Sequence, residues 1–438
     1  MRNGRLWARL LGVEKTTVER VEFAEDQGLL VAHVRPARGQ RRRCGVCRRR
    51  CAGYDRGQGR RRWRGLDLGP MVAVLEAEAP RVRCPEHGVV VAAVPWARHG
   101  AGHTRYFDDQ IAWLAVSCSK TAVTELMRIA WRTVGAIITR VVADAMAGVD
   151  PLGGLRRIGI DEISYKKGHR YVTVVVDHDR RRLVWAAPGR DTHTLRRFFD
   201  QLGAERSKLI THVSADAADW IAEVVAERCP NAVRCADAFH VVAWATEALD
   251  EVRRQAWNDA RALARTEPRR ARGRPRADAA PRPGHDRAKR LKNARYALWK
   301  NPDNLTDRQR DKLAWIAKTD PRLHRAYLLK EGLRYVFVVK GQAGSEALDR
   351  WLCWAARCRI PAFVALGRKI RRHRAAIEAT LEHELSNALI ESTNTKIRLL
   401  QRMAFGFASA EALIALAMLA LGGFRPPLPG RASTWPTV

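Results

Sequence analysis

RRIGIDEISYKKGHRYVTVVVDHDRRRLVWAAPG, residues 156–189, reads as three β-strands in succession. RRIGIDEIS and RYVTVVVDHD are rich in β-branched residues, RLVWAAPG follows, and the charged breaks between them suit turns. DTHTLRRFFDQLG (191–203) then has helical spacing, KLITHVSAD (208–216) is a fourth strand, ADWIAEVVAERCP (218–230) a helix and AVRCADAFHV (232–241) a fifth strand. Three consecutive strands followed by alternating helix and strand is the order of an RNase H-like mixed sheet, its second half parallel. The expected fold class is multidomain α/β, and the first part of this core spans 151–250.

Upstream, residues 17–23 and 29–34 alternate apolar and polar around Asp26-Gln27-Gly28, which predicts a hairpin. MVAVLEAEAPRVR (71–83) alternates again, so residues 1–100 form a β-rich module. YFDDQIAWLAVS, KTAVTELMRIA and WRTVGAIITRVVADAM then carry helical spacing over 106–146, the layout of a helix-turn-helix within 101–150, and Gly153-Gly154 ends it. Downstream, residues 253–300 hold 16 basic against 4 acidic side chains and four prolines, and 267–285 reads as a mobile loop. Helices are expected at 306–332 and 344–357, with a strand at LRYVFVVK (333–340) between them. Residues 251–380 are thus a basic, mainly helical insertion, and 381–438 return to the core.

The chain has 438 residues and a net charge of +33, which calls for a polyanionic partner, because Lys and Arg neutralising phosphates dominate nucleic-acid affinity. Nine cysteines, an odd number that includes a Cys-x-x-Cys pair, argue against a disulfide framework and for a reducing cytoplasm. The first twenty residues are too charged for a signal peptide, and the apolar run at 408–424 contains Glu411, so no membrane association is expected.

Cys44-Gly-Val-Cys47 and Cys84-Pro-Glu-His87 supply four soft or imidazole ligands from two tight turns, the donor set of one structural Zn²⁺; Cys51 is a possible substitute at a less natural spacing. The last helix of the helix-turn-helix would present Trp131, Arg132 and Thr133 to a major groove, although three helices of an ordinary bundle would show the same spacing. Eleven arginines in 41–64, Arg61 and Arg62 among them, are interleaved with Tyr54 and Trp63 and suit phosphate gripping. Asp161 interrupts an apolar strand, where a charge is costly unless it binds something, and a metal ion answers that need. Asp216 closes the fourth strand, which in this sheet order runs beside the first. A third carboxylate is expected on a later helix, and Glu391 supplies it; together they would hold two Mg²⁺ or Mn²⁺ ions. Glu162 points to the opposite strand face.

These pieces resemble bacterial insertion-sequence transposases of the ISL3 family over nearly the whole length. The likeness rests on the two knuckles, VPWAR (94–98), GIDE (159–162), ADAFHVV (236–242), LWKNPDNLTDRQRDKL (298–313) and SNALIESTNTKIRLLQRMAFGF (386–407). It implies a DDE catalytic domain that binds terminal inverted repeats, cuts at the ends and joins the 3′-hydroxyl to target DNA, working as a homodimer or larger assembly. It carries the first aspartate onto Asp161 and the glutamate onto Glu391. For the second, Asp216 and Asp237 both fall in matching stretches. Asp216 is preferred on topology, which leaves Asp237 and His240 as supporting or packing residues. One departure is His87, where related knuckles often have cysteine. Trp299 and Trp315 in the insertion are candidates for stacking on transposon-end bases. A transposase-derived regulator that binds DNA without cutting is the competing class; a resolving nuclease would need neither the knuckles nor the insertion.

Overall fold

A computed structural model describes residues 3–216, 218–268, 282–385 and 387–429. Most of the expected loop, 269–281, lies outside the described residues.

After helix α1 (Gly4–Leu10), the alternating segments become strands β1 (Thr16–Ala24) and β2 (Leu29–Pro36), the hairpin expected, with Gly28 supplying the left-handed turn at φ 58°. β3 (Ala52–Asp55), β4 (Arg60–Arg64), β5 (Val72–Glu78), β6 (Arg81–Cys84) and β7 (Gly88–Val91) complete two sheets, ordered β1-β2-β5-β4 and β3-β6-β7. On β4 the side chains alternate, and Trp63 takes the inward position, 2% exposed, edge-on to Trp96 at 5.5 Å. That corrects its assignment as a DNA contact: between exposed arginines, the one large apolar group of the strand went to the core.

α2 (Arg105–Ser117), α3 (Lys120–Met127) and α4 (Trp131–Met146) follow, the first two capped by the Thr104 and Ser119 hydroxyls. Arg98 of VPWAR is buried and ties the segment before α2 to both neighbours, donating to Asp109 at 2.7 Å and Asp144 at 2.9 Å.

β8 (Arg157–Lys166), β9 (Arg170–Asp177), β10 (Arg182–Pro188), α5 (Thr192–Leu202), α6 (Ala204–Ser207), β11 (His212–Ala215), α7 (Asp219–Arg228) and β12 (Val233–Ala236) form the central sheet in the order β10-β9-β8-β11-β12. β9 is antiparallel to β8 and β10; β11 runs parallel to β8 and β12, so the fourth strand does lie beside the first. Ile158 and Ile160 face a core made with α5 and α7, whereas Ile163, Val172 and Val174 face one that includes α2 and α4. The helix-turn-helix therefore shares its core with the sheet.

α8 (Ala238–Thr266) leaves the sheet as one long helix. α9 (Pro283–Leu291), α10 (Arg295–Trp299), α11 (Asp307–Thr319), α12 (Pro321–Val339), α13 (Gly341–Arg357), α14 (Pro361–Arg372) and α15 (Arg374–His383) gather against it around one apolar core. LRYVFVVK is not a strand; it is the last part of α12. Leu329, Leu333 and Val336, at helical spacing, are buried against α8 and α13, while Tyr335 and Val338 are exposed, so packing overrode the β-branched composition. α16 (Ala388–Met403) and α17 (Ala410–Leu421) then return to the sheet and complete its α2–α4 face. Among the described residues no helix is long and apolar enough to cross a membrane.

Candidate functional site

Parallel register decides the centre of the molecule. Ala215 of β11 pairs with Ile160 of β8 and with Ala236 of β12. The next residue on each strand is an aspartate, so Asp161, Asp216 and Asp237 form one row across three neighbouring strands, about 4.8 Å apart by strand spacing. Loops beyond the carboxyl ends of parallel strands are where such sheets place their chemistry. Glu391 comes to this edge on the first turn of α16, which packs on β8.

The three aspartates have different surroundings. Asp237 caps α8, accepting from the Phe239 N–H at 3.2 Å with one oxygen and from His240 Nδ1 with the other, and it is 4% exposed. His240 Nδ1 lies between the two aspartates, 2.5 Å from Asp237 Oδ2 and 2.7 Å from Asp216 Oδ1. Asp216 Oδ1 is thus buried against the imidazole. These two carboxylates raise the imidazole's pKa to about 10, Asp216 contributing first, so His240 is a cation at neutral pH. Asp161 accepts from Asn394 Nδ2 at 2.7 Å and from the Glu162 N–H at 2.8 Å. Burial, then the charge of Asp216, pushes its pKa up to about 7. Burial, then Asp237, likewise raises that of Glu391. Four carboxylates around one imidazolium leave an excess of negative charge, which is the electrostatic demand of a site for divalent cations. Asp216, Asp237 and His240 form the tight group, with donor atoms within 4.8 Å of one another; Asp161 and Glu391 lie outside it but near enough for their charges to act on it. Glu162 turns to the other face as expected and pairs with Arg190 at 2.6 Å. Asn394 was not foreseen. Its signal was available as Glu391-x-x-Asn394, two polar residues one helical turn apart, but only packing shows that it reaches Asp161.

A second centre lies in the N-terminal module. Cys44, Cys47, Cys84 and His87 bring their donor atoms within 4.8 Å of one another, and Cys51 is not in the group. Cys47 Sγ is 3.7 Å from Cys84 Sγ, and His87 Nδ1 is 3.6 Å from Cys84 Sγ and 3.9 Å from Cys44 Sγ. A tetrahedral ion with metal–sulfur bonds of about 2.3 Å needs sulfur–sulfur edges of about 3.8 Å, so the four residues fit it. The hydrogen bond with His87 lowers the Cys84 thiol to about 6, into the ligating thiolate form.

At the helix-turn-helix, Trp131 and Arg132 are exposed at the start of α4 and Thr133 is half-buried; Lys120 lies 4.7 Å over the Trp131 ring. Arg61 donates to the Ala101 carbonyl and Arg62 to Glu76, both at the surface of the N-terminal sheet. Trp299 is half-buried on the helical core around α8, under Arg295, its indole N–H without a partner, and it lines a cavity of about 720 Å³ together with the exposed Phe239. Trp315 packs on the same core beneath Arg290.

Three family models match. One described as a transposase of the ISL3 DDE type covers residues 158–417. Another, the helix-turn-helix domain of transposase family ISL3, covers 92–142, and a zinc-finger of IS204/IS1001/IS1096/IS1165 transposases covers 40–87. The chain belongs to the ISL3 family of insertion-sequence transposases, enzymes that act on DNA. It is 69% identical over 436 residues, 98% of each chain, to the transposase for insertion sequence element IS1557 of Mycobacterium tuberculosis. It is 26% identical to the transposase for IS1001 of Bordetella parapertussis, over 94% of this chain and 96% of that one.

Proposed function

We propose that this chain binds the terminal inverted repeats of an insertion sequence, cleaves DNA at the ends and joins the freed 3′-hydroxyl to a target. The observation that carries this reading is the aspartate row at the parallel strand ends, with Glu391 facing it from α16. On this reading the central sheet is RNase H-like, Asp161, Asp216 and Glu391 are the catalytic carboxylates, and residues 251–380 are an insertion into that core. Two Mg²⁺ or Mn²⁺ ions held by these three would supply Lewis-acid stabilisation of the attacking and leaving oxygens. Asn394 aims the Asp161 carboxylate. His240, clamped by Asp237, holds positive charge against Asp216 and keeps its carboxylate at the row. Asp237 commits one oxygen to the α8 cap through the Phe239 N–H and is 4% exposed, whereas Asp216 caps no helix and is more accessible, which favours Asp216 as the second ligand.

The Cys₃His centre takes one structural zinc and stabilises the module at 1–100. Trp131, Arg132 and Thr133 read the DNA groove, with Arg61 and Arg62 at the backbone and Trp299 in the insertion as lesser contacts. Two ends have to be paired, so the working form is a dimer or larger assembly on DNA, in the cytoplasm. The test is incubation with Mg²⁺ or Mn²⁺ and DNA carrying the element's ends. Cleavage lost in Asp161→Asn with binding kept supports catalysis, and binding without cleavage by the unmodified chain leaves the regulator. Asp216→Asn should abolish cleavage, while Asp237→Asn should leave a reduced rate; full activity of Asp216→Asn overturns the assignment.

A further inference from the structure

The far end of the glutamate-bearing helix has an unusual finish. α16 closes with two backbone bonds, Phe405 N–H to the Arg402 carbonyl at 3.1 Å and Gly406 N–H to the Gln401 carbonyl at 2.9 Å. This is the paired closure in which the residue after the cap turns left-handed and is usually glycine. Here that residue is Phe405, at φ 53°, a conformation that bulky side chains avoid. Nothing in the core explains it: the ring is 80% exposed, more than any other large apolar side chain among the described residues. A strained position holding an unpacked aromatic is an observation that asks for a function.

Its surroundings are chemically specific. Phe405 lines a cleft of about 450 Å³ with Arg398, Gln401 and Arg402 of α16 and Ser164 and Tyr165 of β8. Both arginines are exposed, and neither is within 4.0 Å of a carboxylate among the described residues. Gln401 is half-buried there, and its side-chain amide nitrogen has no hydrogen-bond partner. Arg398 and Arg402 follow Glu391 by seven and eleven residues, on one stripe of the helix, and Ser164 follows Asp161 by three on the strand. The cleft therefore begins about 10 Å from the carboxylates along both elements, roughly three base steps of a DNA strand.

We propose that this cleft is a nucleotide subsite for the DNA strand that passes the carboxylate row: its phosphates lie on Arg398 and Arg402, an unpaired base stacks on Phe405, and Gln401 donates to that nucleotide. Two guanidiniums without acidic partners suit a phosphate, and an exposed ring with an amide donor suits a base face and edge. The inference rests on the proposed function in taking DNA to be the substrate at the row.

The test uses the full chain with two DNAs of one sequence, a blunt duplex and the same duplex bearing a three-nucleotide single-stranded extension that contains 2-aminopurine. Anisotropy reads affinity and fluorescence reads stacking. The unmodified chain should bind the extended duplex more tightly and quench the probe. Phe405→Ala should lose about 5- to 150-fold on the extended duplex, together with the quenching, while the blunt duplex is little changed. Phe405→Trp should keep the quenching. Arg398→Gln with Arg402→Gln should weaken both DNAs and lower the salt slope by about 2. Phe405→Gly should raise the melting temperature by about 1–3 °C as the strain is relieved, yet lose the quenching, a combination that a purely structural cap would not give. Unchanged affinity and quenching in Phe405→Ala, with normal DNA binding by the parent chain, overturns the subsite alone. Failure of the parent chain to bind either DNA removes both this inference and the proposed function.

Discussion

Replacing Asn394 by alanine should slow DNA cleavage by about one to two orders of magnitude while leaving DNA binding intact. Asn394 is 2% exposed, and its Nδ2 donates to Asp161 Oδ2 at 2.7 Å across 233 residues of sequence. A hydrogen bond to a charged group contributes roughly 1.5–3 kcal/mol, and each 1.36 kcal/mol is tenfold in rate, so its loss costs about 10- to 150-fold. Asn394→Asp should be worse, because it sets a second carboxylate beside a buried one. The assay is the initial rate of Mg²⁺-dependent cleavage against Mg²⁺ concentration, with DNA affinity measured without metal and the melting temperature followed in parallel. The expected pattern is a lower rate and a higher Mg²⁺ requirement at unchanged metal-free affinity. An Asn394→Ala protein with the parental rate and Mg²⁺ dependence would refute the argument that this amide positions the first carboxylate.

Purified protein should contain one zinc per chain, and Cys84→Ser should lose it and lower the melting temperature of the N-terminal module; protein free of zinc when prepared without chelator would remove the centre. Trp63→Ala should destabilise by about 3–5 kcal/mol, since the ring is a buried wedge against Trp96; weakened DNA binding at unchanged stability would return it to the surface. Stability should fall as pH drops from about 6.5 towards 4. Burial, then the nearby Arg157, holds His178 down to about 4, so the unfolded chain takes up a proton over that window that the folded chain refuses. His178→Gln should flatten this slope, by up to about 3 kcal/mol across the window in urea titrations; an unaltered slope would show that His178 is not its source.

The five central strands, the hairpin at 16–36, the three helices after Arg105 and the two cysteine and histidine knuckles that come together were all legible in the sequence, because each is written in a local period or a short spacing. LRYVFVVK has the composition of a strand, and only the helical core around α8 supplied the partners that made it helical. Trp63 was misread for a related reason: an arginine-rich strand states its alternation but not which side will be covered.

The carboxylates divide along the same line. Asp161 and Glu391 could be singled out from the chain alone, one as a charge inside an apolar strand and the other by its motif. That Asp237 caps α8 while Asp216 ends β11 uncapped, with His240 between them, is a property of register and packing. Asn394 against Asp161, and Phe405 over its cleft, are likewise products of packing α16 onto β8. Sequence by itself determines what neighbours along the chain must do, because periodicity and spacing act over one element. Which distant side chains meet, and which hydrogen bonds remain unmade, was decided only when the elements closed on one another.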